Sequence, residues 1–466
     1  MTLVSLQKVT SYDGELRPAV ERLLEPLGGI SAFVKPGARV LLNPNLLGPF
    51  APEAAVTTHP ALIEAVATLV LEAGGVCLIG DSPGCGSVAA VQRTTGVGAV
   101  IERLGLEWAD LETPADFEFP NARVGRRIRL GAALGQVDRI INLPKAKTHV
   151  QMVFTGAMKN LYGYLPGTSK SEYHFRLKTR EWLAELILDL NTGLPPALSI
   201  VDAVTAMEGE GPSGGTPRNL NVIAASTDTV ALDTVIAGLM NLDPADVPLL
   251  RAAKNRPAGE SDPARIRTVG ADPAELTVRD FRHIKALGNP LRLLPLPQKL
   301  LDALQRHWKP VPHIDRKKCV KCMRCRDGCP VRPPAINPEH SFVADPALCI
   351  KCYCCHEFCP VKAIGVDPTF LERFLFTPRV RRLGARLAGK LSGGFLVVTA
   401  REERAQGVNR RRAVEKLSAL LEGALKVPKL RKPTRPTAGS VRRRLAAKER
   451  RSMLKRSRSY RPGEEE

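Results

Sequence analysis

Nine of the eleven cysteines in this 466-residue chain lie between Cys319 and Cys359. Eight of them form two copies of one pattern, thirty residues apart: Cys319-Val-Lys-Cys322-Met-Arg-Cys325-Arg-Asp-Gly-Cys329-Pro330 and Cys349-Ile-Lys-Cys352-Tyr-Cys-Cys355-His-Glu-Phe-Cys359-Pro360. Both copies fit C-x2-C-x2-C-x3-C-P. Three thiolates on a tight turn can wrap one cubane iron–sulfur cluster, while the fourth, set further on and braced by proline, points away to the other cluster. The spacing therefore assigns Cys319, Cys322, Cys325 and Cys359 to one 4Fe-4S cluster, and Cys349, Cys352, Cys355 and Cys329 to a second. Zinc also takes paired C-x2-C elements, but eight cysteines in a doubled pattern, each copy ending in Cys-Pro, favour clusters. Cys354 stands off the pattern and reads as a bystander thiol.

This segment resembles the two-cluster bacterial ferredoxins over about fifty residues. The resemblance implies a small α+β domain, placed at residues 313–368, that passes single electrons and meets a redox partner protein. The second copy continues Val361-Lys362-Ala363-Ile364, whereas the first reads Val331-Arg332-Pro333-Pro334-Ala335-Ile336, two residues longer. Packing beside Cys329 is expected to differ, and the two potentials with it.

A second constellation lies upstream. Pro144-Lys145-Ala-Lys147-Thr148-His149 follows an apolar run, and Lys159-Asn160-Leu-Tyr162-Gly163 comes soon after. If residues 145–149 are extended, Lys145, Lys147 and His149 project from one face. Together with Lys159 they are the candidate catalytic residues, suited to a small anionic substrate. Gly80-Asp81-Ser82-Pro83-Gly84-Cys85-Gly86-Ser87 is either a plain turn or an anion-contacting loop, since it lies where open α/β sheets place ligands. Cys85 is an attractive thiol in that loop though more a bystander than a catalytic group, while Cys77 reads as core. Asp202, Glu208 and Glu210, around a Gly-rich run, could bind a metal or balance the lysines.

The elements that must hold these groups follow from the apolar periodicity. Short apolar runs at Arg39–Leu42, Val76–Ile79, Arg139–Leu143, Leu198–Val201 and Asn221–Ala225 read as strands. His59 to Ala73 reads as a helix, with Thr58 as N-cap and Gly74-Gly75 at its end. Alternation of such runs with amphipathic stretches predicts an α/β domain over residues 1–290, a mainly parallel sheet with covering helices and right-handed crossovers.

Asn43-Pro44-Asn45, Thr58-His59-Pro60, Gly80-Asp81-Ser82-Pro83, the Lys145-to-His149 run, Gly156-x-x-Lys159-Asn160-x-x-Gly163, Asp202 with Met207-Glu208-Gly-x-Gly211-Pro212, and Asp228-x-x-x-x-Asp233 together resemble the domain of unknown function 362. The resemblance spans about residues 15–270. It implies an architecture in which a ferredoxin module follows the α/β domain, and it leaves the reaction open.

Residues 291–312, rich in Pro and Leu, read as a linker, 369–426 as a basic amphipathic extension, and 427–466 as a disordered basic tail. Of the formal charge of +21, about +13 lies from Arg401 onward, where twenty-one Lys or Arg face eight Asp or Glu. That end could meet nucleic acid, an anionic membrane surface or an acidic partner. Its lack of rings other than Tyr460 argues against stacking on single-stranded bases. Thiolate chemistry needs a reducing compartment. With no secretory leader and no apolar run of about eighteen residues, the chain is expected in the cytoplasm, with a peripheral membrane contact as one option. The chain is thus read as an iron–sulfur redox protein that moves single electrons to or from a substrate or partner held by the α/β domain. A carrier that only docks a partner enzyme, or a nucleic-acid-associated protein with structural clusters, is the alternative.

Overall fold

The computed structural model describes residues 2–284 apart from Glu15, Thr168 and Lys178, residues 311–366 apart from Pro346, and then Leu391–Ser392, Phe395–Leu396, Lys416 and Ala438–Ser459. The proposed linker lies almost wholly, and the amphipathic extension largely, outside the described residues. Contacts divide the chain into one compact unit, Met1–Phe374, and a second, Leu375–Glu466.

The first unit is built on a ten-stranded sheet. Its strands are β1 (Thr2–Lys8), β2 (Arg39–Pro44), β3 (Val76–Ile79), β4 (Glu107–Trp108), then, after a separate hairpin of β5 (Pro114–Glu118) and β6 (Arg127–Gly131), β7 (Arg139–Leu143), β8 (Lys145–His149), β9 (Val153–Thr155), β10 (Leu198–Glu208), β11 (Thr216–Ser226) and β12 (Ile266–Gly270). The order is β12-β1-β11-β10-β7-β2-β3-β4, with β8 pairing both β10 and β9. Strands β4, β3, β2, β7 and β10 run parallel. Strand β11 is antiparallel to β10 and β1. All five strands read from the sequence are present, and β10 and β11 extend well past the expected ends.

Period-two alternation sends the side chains of these strands into two separate cores. Leu41, Leu78, Ile140, Val201 and Ala224 join one apolar cluster, while Val40, Leu42, Cys77, Ile79, Ile141, Ile200 and Ile223 join the other. Burial on both faces is why these strands read as continuous apolar runs. The expected helix is Pro60–Glu72, but its N-cap is His59, whose Nδ1 accepts from Ala61 N at 3.2 Å. Thr58 is drawn off by tertiary contacts: its hydroxyl donates to Leu143 O at 2.6 Å and accepts from Asn45 N.

Residues 311–366 form a cysteine-rich lobe closed by β13 (His313–Ile314), paired antiparallel with β14 (Ile364–Gly365). Its two halves repeat in conformation as well as in sequence. Lys321 and Met323 in the first loop, and Lys351 and Tyr353 in the second, all hold positive φ, and each loop leads into a four-residue helix, Arg324–Asp327 and Cys354–Glu357. At either end of the lengthened stretch of the first copy, Val331 and Ala335 pack on Cys329.

In the second unit, Ala438–Ser459 form a 22-residue helix. Arg, Lys, Ala and Leu are all good helix formers, and their summed preference outweighs the lack of an apolar face. No helix among the described residues is long and apolar enough to cross a membrane.

Candidate functional site

Parallel strands deliver their C-terminal ends to one edge of a sheet, and polar groups gather there. At the ends of β2, β3 and β7 stand Asn43, Asn45, Asp81 and Asn142. Asn142 Nδ2 donates to Ala157 O at 3.0 Å, and Asn160 Nδ2 donates to Asn142 Oδ1 at 2.8 Å and Asn43 O at 3.0 Å. Asn45 Nδ2 in turn donates to Asn160 Oδ1 at 2.8 Å. This ladder fixes the short helix Ala157–Asn160, which carries Lys159. From the other side the Asp233 carboxylate accepts from Ala157 N at 2.5 Å and Met158 N at 3.0 Å.

The lysines of β8 go different ways. Strand β8 pairs with β10 at Asp202 opposite Lys145, and the register slips before Met207 meets Lys147. Lys145 Nζ donates to Asp202 Oδ2 and to Tyr12 Oη, both at 2.9 Å. Tyr12 donates to Asp202 Oδ1 at 2.7 Å and stacks on His59 at 3.6 Å between ring centroids. The charge of Lys145 is therefore matched on the spot. Lys147 Nζ donates only to neutral oxygens, Asn45 Oδ1 at 2.8 Å and Val56 O at 2.6 Å. Burial, with Lys159 nearby, pulls its pKa down to about 7. His149 is buried too: its Nδ1 accepts from Gln151 N at 3.1 Å and Met152 N at 3.3 Å, so a neutral ring carries its proton on Nε2. That nitrogen lies 3.4 Å from Glu357 Oε1.

Of the four candidate catalytic residues, Lys159 alone lines the cleft at this edge; Lys147 and His149 touch the lining residues Asn45 and Glu357, and Lys145 is held apart by Tyr12 and Asp202. The cleft holds about 600 Å³, its open mouth included. Lys159 Nζ sits 4.5 Å over the Tyr162 ring. Opposite, Lys170 Nζ donates to Ser82 O, and Tyr162 Oη donates to Lys170 O at 2.8 Å. Burial draws the Lys170 ammonium down to about 8 against the pull of Asp81. His174 Nδ1 and Glu357 Oε1 are buried without a hydrogen bond. Two cations, an imidazole nitrogen and a carboxyl thus converge on one space. Lys170 and His174 carry no motif and no signal beyond their residue type, and Glu357 occupies an unspecified position within the second cysteine copy.

The loop Gly80–Ser87 makes part of the cleft through Asp81, Ser82 and Gly84. Cys85 is not poised as a nucleophile, since burial pushes its thiol up to about 11. Cys77 is core, as expected. The acidic trio does not converge on a metal: Asp202 balances Lys145, while Glu208 pairs with Arg282 Nε at 2.7 Å.

The Gly-rich run after Glu208 is instead where the cysteine-rich lobe docks. Ser213 Oγ donates to Glu357 O at 3.1 Å, Lys362 Nζ donates to Gly215 O at 3.3 Å, and His356 Nε2 lies 3.4 Å from Glu210 O. A side chain at Gly214 would press on the His356 ring and on Glu210 O. Docking brings Cys354, Glu357 and Phe358, from the second cysteine loop, into the cleft as one of its sides.

Within the lobe, Cys322 and Cys359 are near enough to Cys325 to repel its thiolate, and Cys352 and Cys329 stand likewise to Cys349. Lys321 N donates to Cys319 Sγ at 3.4 Å and Ala363 N to Cys359 Sγ at 3.1 Å. Among the described residues no three His, Cys, Asp or Glu close on a single metal ion.

A family model described as a domain of unknown function, DUF362, matches residues 40–238, which include most of β2, all of β7 and β8, Lys159 and Lys170. A thylakoid-associated protein of Synechocystis sp. is 38% identical over 284 residues, covering 60% of this chain and 87% of that protein. The peptidyl-tRNA hydrolase ArfB of Pseudomonas putida is 43% identical over 75 residues, 16% of this chain and 55% of that protein. Among solved structures, the lactate racemase apoprotein from Thermoanaerobacterium thermosaccharolyticum aligns at a TM-score of 0.34 and 11% identity, over 52% of this chain and 58% of that one.

Proposed function

The chain belongs to the DUF362 family, and from that premise we propose that it is an iron–sulfur redox protein whose α/β domain holds a small anionic substrate beside a ferredoxin-like domain. The observation that carries this reading is the shared cleft: Lys159 and Lys170 line it from the α/β domain, and Cys354, Glu357 and Phe358 line it from the cysteine-rich lobe.

The cysteines fit two 4Fe-4S clusters better than single ions. A cubane spreads its thiolates around a larger body than a single zinc ion does, in keeping with the doubled motif and with thiols that neighbour one another within each set. Cys319, Cys322, Cys325 and Cys359 would hold one cluster, and Cys349, Cys352, Cys355 and Cys329 the other. Left-handed residues between the ligands bend each loop so that amides face sulfur, as Lys321 N does, which stabilises anionic charge. When bound, such clusters supply one-electron transfer at a potential tuned by hydrogen bonds to sulfur and by solvent.

The residues of the cleft supply the rest. Lys159 and Lys170 attract and orient an anionic group, and Lys170, titrating near 8, can release a proton at neutral pH. Lys147 and His149 support this surface from behind, and Lys145 anchors β8 to β10. The relative named for thylakoid association supports a peripheral place at a membrane for a chain otherwise read as cytoplasmic.

The test is an anaerobic iron and sulfide count with a redox titration followed by electron paramagnetic resonance. About eight irons and two reversible signals are expected. Zinc in place of iron, or clusters that cannot be cycled without loss, would overturn the reading.

One comparison favours a second activity in the same chain. The ArfB relative is a peptidyl-tRNA hydrolase, and with a net charge of +21 this supports contact with RNA.

A further inference from the structure

We infer that the helix Ala438–Ser459 is an RNA-binding element that enters a groove of structured RNA, an inference that rests on the RNA-contact reading above and names where that contact is made. The helix carries seven arginines and two lysines against one acid, Glu449. Three polyanions answer to such charge: membrane surface, acidic protein and nucleic acid. The distribution of charge around the helix separates them.

At 100° per residue, the exposed Arg442, Arg450, Arg451 and Lys448 fall on all sides of the axis. A helix lying on a bilayer needs an apolar face opposed to a basic one. Here Leu445 and Met453 are 59% and 67% exposed, and the line that would join them is interrupted by Glu449. A flat anionic surface neutralises one side of a rod, whereas a groove bounded by phosphates neutralises every side. The preference for arginine over lysine fits phosphate, which the guanidinium grips with two parallel hydrogen bonds. The helix has no ring for base stacking, which points to the backbone of folded RNA rather than to unpaired bases.

The experiment uses the full chain, clusters loaded under anaerobic conditions, and a fluorescently labelled RNA hairpin titrated across a series of salt concentrations. A DNA duplex of matching length and phosphatidylserine-containing vesicles serve as competitors. The variant replaces Arg442, Lys448, Arg450 and Arg451 together with glutamine, which keeps helix preference while removing charge. Expected are tighter binding to the hairpin than to either competitor and, in the variant, an affinity loss of roughly tenfold or more with a salt slope shallower by about 3. Hairpin binding that is unchanged in the variant would overturn the assignment to this helix while leaving RNA contact standing. No hairpin binding at all would remove both. Stronger binding to vesicles or to duplex DNA would replace RNA by that ligand.

Discussion

Lys145 and Lys147 stand two residues apart on one strand, and the structure gives them opposite electrostatic roles. Lys145 is locked to Asp202, both essentially without solvent contact. Replacing Lys145 by methionine leaves a carboxylate buried with only Tyr12 and the His59 amide to stabilise it. A loss of about 3–5 kcal/mol is expected in denaturant unfolding, and a Lys145→Met, Asp202→Leu double variant should recover part of it. A single variant as stable as wild type would show that the pair is not a closed unit. Lys170 titrates where function can feel it. Its ammonium is held near 8, so anion affinity falls as pH rises through that value and the positive charge is lost. Phosphate binding followed by calorimetry from pH 6.5 to 9.5 should show this decline. Lys170→Arg, which stays charged, should move the decline upward; identical profiles would remove Lys170 from the anion site.

Among the elements, the short helix Ala157–Asn160 positions Lys159, and its supports are tightly drawn. A Cβ at Gly156 would collide with Asp233 Oδ1 and the Phe154 ring. Gly156→Ala should therefore cost about 1–3 kcal/mol, as overpacked sites do. Burial raises the Asp233 carboxyl to about 7 against two amide donors. Between the unfolded value near 4 and that folded value the native state holds a proton the unfolded chain lacks, so this group adds stability as pH falls from 7 toward 4. Asp233→Asn should lack that gain, measured as the difference between the two proteins' unfolding free energies across the range.

How much of this was legible in the sequence depends on the distance of the partners. The five strands and the helix after His59 follow from local apolar runs, because a strand buried on both faces has no other way to be written. The strand Thr2–Lys8 and the ladder of Asn43, Asn45, Asn142 and Asn160 depend on contacts far apart in the chain. So does the split between Lys145 and Lys147, since a register slip against β10 has no local mark. The acidic residues around the Gly-rich run after Glu208 read as metal ligands or as counter-charges to the lysines, and Asp202 takes the second role. Gly214 in it admits the His356 ring of the other lobe, while Gly211 and Gly215 lie against Thr148 and Met207 of their own domain.

At the scale of the molecule, the arrangement that matters is the seating of the second cysteine loop on the strand ends. Ser213, Gly215 and Glu210 hold Glu357, Lys362 and His356, and the cleft exists between the two lobes because they are held there. If the cluster of Cys349, Cys352, Cys355 and Cys329 borders the substrate site while the other cluster is turned away, the two must respond unequally to an anion in the cleft. The most direct measurement is the electron paramagnetic resonance spectrum and midpoint potential of each cluster with and without saturating phosphate, in the wild type and in Lys159→Met. A shift confined to one cluster, and lost in Lys159→Met, is the expected result. Phosphate that binds with equal effect on both clusters, or on neither, would contradict a cleft shared between substrate and cluster.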